Sequence, residues 1–203
     1  MPTPLMPGDE LAGPDGVTAR MIRTTAASSP QALEIEWRVP PGGRLVALPH
    51  RHPTGPEEWV VVEGTARYRI GWRSGVAHAP GGWTVPGKTA HVHPANAGDG
   101  TLVVRQTIAP VPADPALTSG VERYFETVFA VAQRGGVDRF GRIKDPLQDV
   151  ISLWTNLVPG TYLAGIPAVA QRPVLRLGAA LAARRGREAW LEAPRSRSAE
   201  PPQ

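Results

Sequence analysis

The stretch Pro49–Gly64, PHRHPTGPEEWVVVEG, places two of the chain's five histidines one residue apart. Adjacent glutamates and a run of valines follow. Side chains two apart on a β-strand share a face, with Cα atoms about 6.5 Å apart, so His50 and His52 can converge on one ion. In EEWVVVEG, Glu57 shares its face with Trp59 and Val61, and Glu58 with Val60 and Val62. Glu57 is therefore the inward carboxylate, and the valines facing outward need a cover.

Working outward, short apolar runs punctuated by PPGG, GW, PGG, PGK and AGDG extend to about Pro112, a texture that predicts a β-sandwich or barrel. ALEIEWRV alternates, with Leu33, Ile35, Trp37 and Val39 on one face. TARYRIGW does the same, setting Ala66, Tyr68, Ile70 and Trp72 opposite Arg67 and Arg69. Trp59, Trp72 and Trp83 are expected in the core. Beyond Pro115 the period becomes helical. Ser119 and Glu122 read as a capping box ahead of Val121, Tyr124, Phe125, Val128 and Phe129, a helix over 119–134. Asp145-Pro146 opens a second helix over 145–157 with Leu147, Val150, Ile151 and Trp154 on one side, and a third pattern runs from Ala168 to Arg187 across Pro173. The expected organisation is an N-terminal tail (1–18), a β domain (19–112), a helical extension (113–190) and a disordered tail (191–203).

A second cluster, WTVPGKTAHVHPANAGD, presents His91 and His93, again two apart. With no cysteine in the 203 residues, thiolate sites, disulfides and cysteine nucleophiles are excluded, and a metal can be held only by nitrogen and oxygen. Three imidazoles and a carboxylate suit Fe(II), Mn(II), Ni(II), Cu(II) or Zn(II), with positions left open on an octahedral ion. The net charge of +4 is modest and no basic helix alternates with stacking aromatics, so no nucleic-acid partner is expected. No leader peptide and no long uncharged apolar run suited to a membrane span is read, and the protein is expected in the cytoplasm. Phosphate loops, dinucleotide fingerprints and nucleophile elbows are absent from the sequence.

His50-x-His52, four residues, Glu57, six residues and Gly64 together resemble the first motif of the cupin superfamily. Pro86, His91 and Asn96 resemble most of the second. The likeness covers about residues 20–112. Gly43 stands one residue early, Pro86-Gly87 replaces the usual Pro-x-Gly, and Asn96 is one position late. The resemblance implies a mainly β fold, a single jelly-roll β-barrel followed by a helical C-terminal extension, as in single-domain bacterial cupins. It implies one divalent transition metal on His50, His52, Glu57 and His91, with Fe(II) ranked first. Tyr68, His93 and Gln106 become candidate pocket residues. The activity it points to is a mononuclear metal enzyme acting on a small molecule, a dioxygenase first and an isomerase or lyase next; the alternatives are a non-catalytic binding or sensing module and a structural interaction protein. The outward valines, and the resemblance to dimer-forming members, predict a homodimer.

Overall fold

The computed structural model describes residues 3–197 apart from 14, 29–31, 46–47, 54, 111, 113, 139–140 and 159. Twelve strands form two antiparallel sheets. They are β1 (Asp9–Ala12), β2 (Thr18–Arg23), β3 (Leu33–Val39), β4 (His50–Arg51), β5 (Glu57–Glu63), β6 (Thr65–Ile70), β7 (Arg73–His78), β8 (Gly81–Val85), β9 (His91–Asn96), β10 (Leu102–Ile108), β11 (Tyr162–Leu163) and β12 (Arg195–Arg197). The larger sheet has the order β12-β1-β2-β3-β10-β5-β8, and the smaller β11-β4-β9-β6-β7. The mainly β architecture read from the alternation is the one found. Leu33, Ile35, Trp37 and Val39 are all buried, as are Trp59 and Val61. Burying that one-sided apolar set between the sheets drives them together.

Three helices follow the last central strand: α1 (Pro115–Ala132), α2 (Pro146–Ser152) and α3 (Ala168–Arg184), with a π-helical turn over Leu153–Leu157 after α2. Helix α1 begins earlier than the Ser119–Glu122 capping box suggested. Its cap is Asp114, whose side chain accepts from the amides of Ala116 and Leu117 at 3.1 Å, with Pro115 in the first turn. Glu122 instead accepts a 2.6 Å bond from the Thr25 amide, a tertiary contact that outcompetes the local one. The expected apolar stripe, Val121, Tyr124, Phe125, Val128 and Phe129, is buried. Phe125 and Phe129 pack on Trp37, at ring separations of 5.0 and 6.3 Å. Gly120 lets α1 approach the π-helical turn, because a Cβ there would collide with the Asn156 carbonyl.

Other expectations are corrected. Trp72 is fully exposed: Gly71, at φ 58°, turns the chain between β6 and β7, and alternation does not carry through a turn. Val60 and Val62 point outward as expected but are 52 % and 46 % exposed, so the helical extension does not cover them. It packs over the barrel interior instead, against Trp37. Both end segments, read as tails, contribute paired strands. Asp9 of β1 stands opposite Arg197 of β12 and receives its guanidinium at 3.1 Å. Residues 198–203 of the expected disordered tail lie outside the described residues.

The anchor of the C-terminal segment is Glu126, fully buried on α1. Its carboxylate accepts from Arg195 (2.6 and 3.0 Å), the Trp190 indole (2.7 Å) and the Ala193 amide (3.3 Å). A buried carboxylate with four donors is stable only while they stay. Glu126→Ala is expected to destabilise the protein by about 3 kcal/mol and to make the segment from Trp190 onward sensitive to protease, read by urea unfolding and limited proteolysis.

Asp149 on α2 has the opposite character. Burial pushes its carboxyl up from 3.8 to about 6, with Asp138 adding to the rise and Arg142 opposing it. An acid whose folded value is raised holds its proton longer when folded, so stability is greatest below 3.8 and falls as pH rises towards 6. Asp149→Asn is expected to flatten thermal stability across that window and to raise it near neutral pH by about 2 kcal/mol, allowing for screening at the exposed edge of the group.

Candidate metal centre

His50, His52, Glu57 and His91 come together inside the barrel, all buried, with their ligand atoms within 4.8 Å of one another. The sheets explain why. Strands β4 and β9 pair with His50 opposite His91, so two imidazoles from motifs forty residues apart share one rung. His52 follows β4 on the chain, and Glu57 enters from the other sheet at the start of β5. Glu57 is 2 % exposed while Glu58, its neighbour, faces out, the parity read from the alternation. Gly87 brings the turn before β9 against the loop before β5: a Cβ would sit 2.9 Å from the Gly55 carbonyl. The Lys88 amide bonds to the His52 carbonyl at 2.7 Å, tying the second motif to the first.

Each histidine is aimed from behind. His50 Nδ1 donates to the Leu48 carbonyl at 2.8 Å and His91 Nδ1 to the Thr89 carbonyl at 3.2 Å. A carbonyl can only accept, so the proton sits on Nδ1. His52 Nδ1 lies 3.0 Å from Thr161 Oγ1 and 3.4 Å from the Gly160 carbonyl. The Nε2 atoms of His52 and His91 are thereby turned towards the carboxylate, and on His50 and His91 the proton on Nδ1 is the tautomer that metal-bound imidazoles adopt. His91 Nε2 is 2.9 Å and His52 Nε2 3.1 Å from Glu57 Oε2. The second contact is poorly aligned, and His52 Nε2 is a buried nitrogen without a hydrogen bond. A buried nitrogen aimed at a carboxylate and lacking a hydrogen bond is what a cation between them would satisfy. The residues fit a divalent ion.

Electrostatics agree. Burial, reinforced by the neighbouring His93, His91 and His52, holds His50 well below the ordinary histidine value and favours its neutral imidazole. Burial opposes ionisation of Glu57, but the close approach of His52, the hydrogen bond from His91 and the charges of His91 and His93 outweigh it and keep the carboxyl well below its usual range. Burial likewise opposes charge on His91, and its bond to Glu57 reverses that and raises it. A proton on His91 neutralises a carboxylate that would otherwise be an isolated buried charge, a task a bound cation takes over.

The other expected residues divide. Gln106, 1 % exposed, donates to Glu57 Oε1 at 2.8 Å and accepts from the Trp37 indole at 2.9 Å, fixing the carboxylate's orientation. His93 is buried, its Nε2 3.8 Å from Glu57 Oε1 and its ring against His50, Trp59 and Phe125. Tyr68 does not reach the pocket; it stacks on Trp83 at 4.4 Å, and Trp83 on Trp59 at 5.8 Å, as barrel filling. Asn96 is structural, its side chain bonding the Val39 and Gly100 carbonyls and the Gly98 amide.

A pocket leads from His50, His52, His93 and Gln106 towards the extension. Val121, Tyr124 and Phe125 of α1, Leu153, Leu157 and Val158 of the π-helical turn and its end, and Leu175 of α3 close it. Histidine apart, its walls among the described residues carry no ionisable group but Tyr124, whose phenol burial and the nearby Asp149 drive far above its ordinary value and keep neutral. Thr161 and this roof were missed in the sequence. Thr161 lies 109 residues from the histidine it orients, with no local signal to mark it.

Comparison with solved structures finds partial likenesses. A Klebsiella pneumoniae protein with a double-stranded β-helix domain is 24 % identical, with a TM-score of 0.36 over 41 % of this chain and 70 % of that one. A cupin-like protein from Thermotoga maritima is 18 % identical, TM-score 0.43, over 56 % and 80 %. Some of the solved structures it resembles are described as cupin or cupin-like. A Bacillus subtilis oxalate decarboxylase variant also matches, 21 % identical with a TM-score of 0.41, and there the match covers 48 % of this chain but only 27 % of the enzyme. No family model matches the chain, and no curated protein matches it. These likenesses are partial, and the case for the centre rests on the chain's own geometry.

Glu57→Gln is expected to lower metal affinity by at least about tenfold while Glu58→Gln leaves it at the parent level, measured by elemental analysis after dialysis against a chelator series. His52→Ala should lose stoichiometric metal and keep the β-sheet circular dichroism. Equal losses in both glutamate variants would place the carboxylate ligand elsewhere.

Proposed function

We propose that this chain is a mononuclear divalent-metal enzyme of cupin type that acts on a small, largely apolar molecule. The observation that carries the reading is the cluster of four buried donors within 4.8 Å of one another, beside a pocket closed by the chain's own helices. His50, His52, Glu57 and His91 would hold the ion, with iron(II) first among the metals this donor set suits. When bound, such an ion activates oxygen or polarises a substrate oxygen at its open positions.

The remaining chemistry belongs to the protein. Leu48, Thr89 and Thr161 hold the imidazoles in register, and Gln106 keeps one carboxylate oxygen occupied so that the other faces the histidines. Phe125, Leu153, Leu157 and Val158 exclude water and offer an apolar wall to the substrate's body. His93, beside the ligands and facing the pocket, is placed to move or hold a proton on a bound molecule. Among the described residues the walls contain no arginine or lysine, so a dicarboxylate would find no counter-charge there apart from the metal. That favours an uncharged or singly anionic substrate with one metal-binding oxygen and a hydrocarbon body. An oxygenase reaction ranks before isomerase or lyase chemistry; the second reading, a binding module, shares every feature except turnover.

Protein purified without oxygen and loaded with iron(II) is expected to bind one equivalent of metal and to consume oxygen with a member of a panel of small aromatic and branched aliphatic alcohols, ketones and monocarboxylic acids. Stoichiometric metal, ligand-dependent thermal stabilisation and no oxygen uptake or product across the panel would favour the binding module.

A further inference from the structure

Helix α3 is amphipathic twice over. Its inner face, Gln171, Leu175, Ala179 and Ala182, is buried, and Gln171 clamps the preceding loop through the Leu163 amide and carbonyl and the Ile166 carbonyl. Its outer face carries a second apolar stripe. Val174, Leu177 and Leu181, at steps of three and four residues, are 67 %, 75 % and 46 % exposed; Val169 and Ile166 continue the stripe at 79 % and 47 %. Half of the large exposed apolar side chains among the described residues thus lie on one helix and its entry loop.

The charges beside this stripe have one sign. Arg172, Arg176, Arg184 and Arg185 are exposed on or just beyond α3, and between Asp149 and Glu188 the chain has no acidic residue at all. On the helical wheel Arg185 borders one edge of the stripe, Arg176 lies beyond the other next to Val169, and Arg184 stands at its C-terminal end, while Arg172 lies further round and donates to the Tyr162 hydroxyl at 2.7 Å. A second copy docking through the same face would set arginine against arginine with no carboxylate from either helix to neutralise them, which disfavours self-association there. Nucleic acid would leave the apolar stripe in water. An apolar strip flanked by guanidinium groups matches a surface that is hydrocarbon below and anionic above. No helix among the described residues is long and apolar enough to cross a membrane, so such a contact would lie in the surface plane.

We propose that the outer face of α3 is a membrane-docking surface that seats the protein on an anionic lipid bilayer, with Val169, Val174, Leu177 and Leu181 entering the acyl boundary and the arginines contacting lipid phosphate. This surface is independent of whatever the barrel holds. Because Gln171 and Leu175 on the opposite side of the same helix line the pocket, docking would set the roof of that pocket next to the bilayer.

The test is co-sedimentation of the full chain with vesicles of phosphatidylcholine alone and of equal parts phosphatidylcholine and phosphatidylglycerol, with sedimentation velocity run in parallel. Binding is expected to the anionic vesicles only, to weaken as salt is raised, and to fall at least about tenfold in Leu177→Asp and in the double variant Arg176→Glu/Arg185→Glu. Circular dichroism checks that both variants fold, and exposed Leu177 is a site where aspartate is tolerated. Three results would overturn the proposal: no binding to either vesicle, equal binding to both, or undiminished binding by folded Leu177→Asp. So would conversion of a dimer to a monomer by Leu177→Asp without vesicle binding by the parent, which would make the stripe a self-association surface.

Discussion

A carboxylate with 2 % exposure is the constraint on which the rest of this molecule depends. An ionised group taken out of water costs several kcal/mol unless other groups replace its hydration, and Glu57 is surrounded by groups that do. Gln106 donates to one oxygen, His91 to the other, and His52 and His93 stand close behind. Those residues are themselves held: Gln106 by Trp37, His52 by Thr161, His91 by the Thr89 carbonyl. The centre is therefore a network in which a strand from each sheet, the turn before β9 and the loop after the π-helical turn all end on one carboxylate. Loosening any of them leaves a buried polar group short of a partner.

The extension follows from the same constraint. A barrel open above Glu57 would admit water to the cluster and weaken every interaction in it. Helix α1 supplies Phe125 against both His93 and Trp37, and the π-helical turn supplies Leu153 and Leu157. The close approach at Gly120 seats that turn, and the widened helix ends where Gly160 and Thr161 reach His52. Glu126 then fastens the returning C-terminal segment to the outer side of α1, and Arg195 passes that restraint on to the carbonyls of Thr3 and Pro4. Residues at both ends of the chain thus brace the helix that closes the pocket.

How far the sequence revealed this follows from the range of each signal. Parity on a strand is local and robust, so the inward set His50, Glu57, Trp59 and Gln106 was legible. It reports a face and not a depth: Tyr68 faces inward yet is spent on stacking with Trp83, away from the pocket. It also ends at a turn, which is why Trp72 was misplaced beyond Gly71. Helix starts illustrate competition between signals. Asp145-Pro146 was read as a cap and is one; the equivalent Asp114-Pro115 was passed over for Ser119 and Glu122, whose carboxylate is committed to Thr25 instead. The pairing of β1 with β12 joins positions nearly the whole chain apart, and composition, which is local, reads both as tails. Glu126 had a signal that went unused: an acid inside the apolar stripe of a helix is either an error of register or a buried anchor.

The two faces of α3 show how a single helix can couple separate demands. Its inner side must be small and apolar where Ala179 and Ala182 meet Ile151 of α2, and polar at Gln171, where a side-chain amide satisfies the loop that carries β11 beside the histidines. Those requirements leave the outer side unconstrained by the fold. A helix free to be polar on that side would carry mixed charges and no leucine. Its actual content is valine, leucine and arginine without a single acid, and these exposed side chains contribute nothing to the core. Exposed apolar residues that add no packing are most economically explained by a contact outside the chain. The pocket roof and the outer stripe are two sides of one helix, with Leu175 on the pocket side and Val174 and Leu177 on the other, so a partner held at the stripe would lie one helix diameter from the pocket.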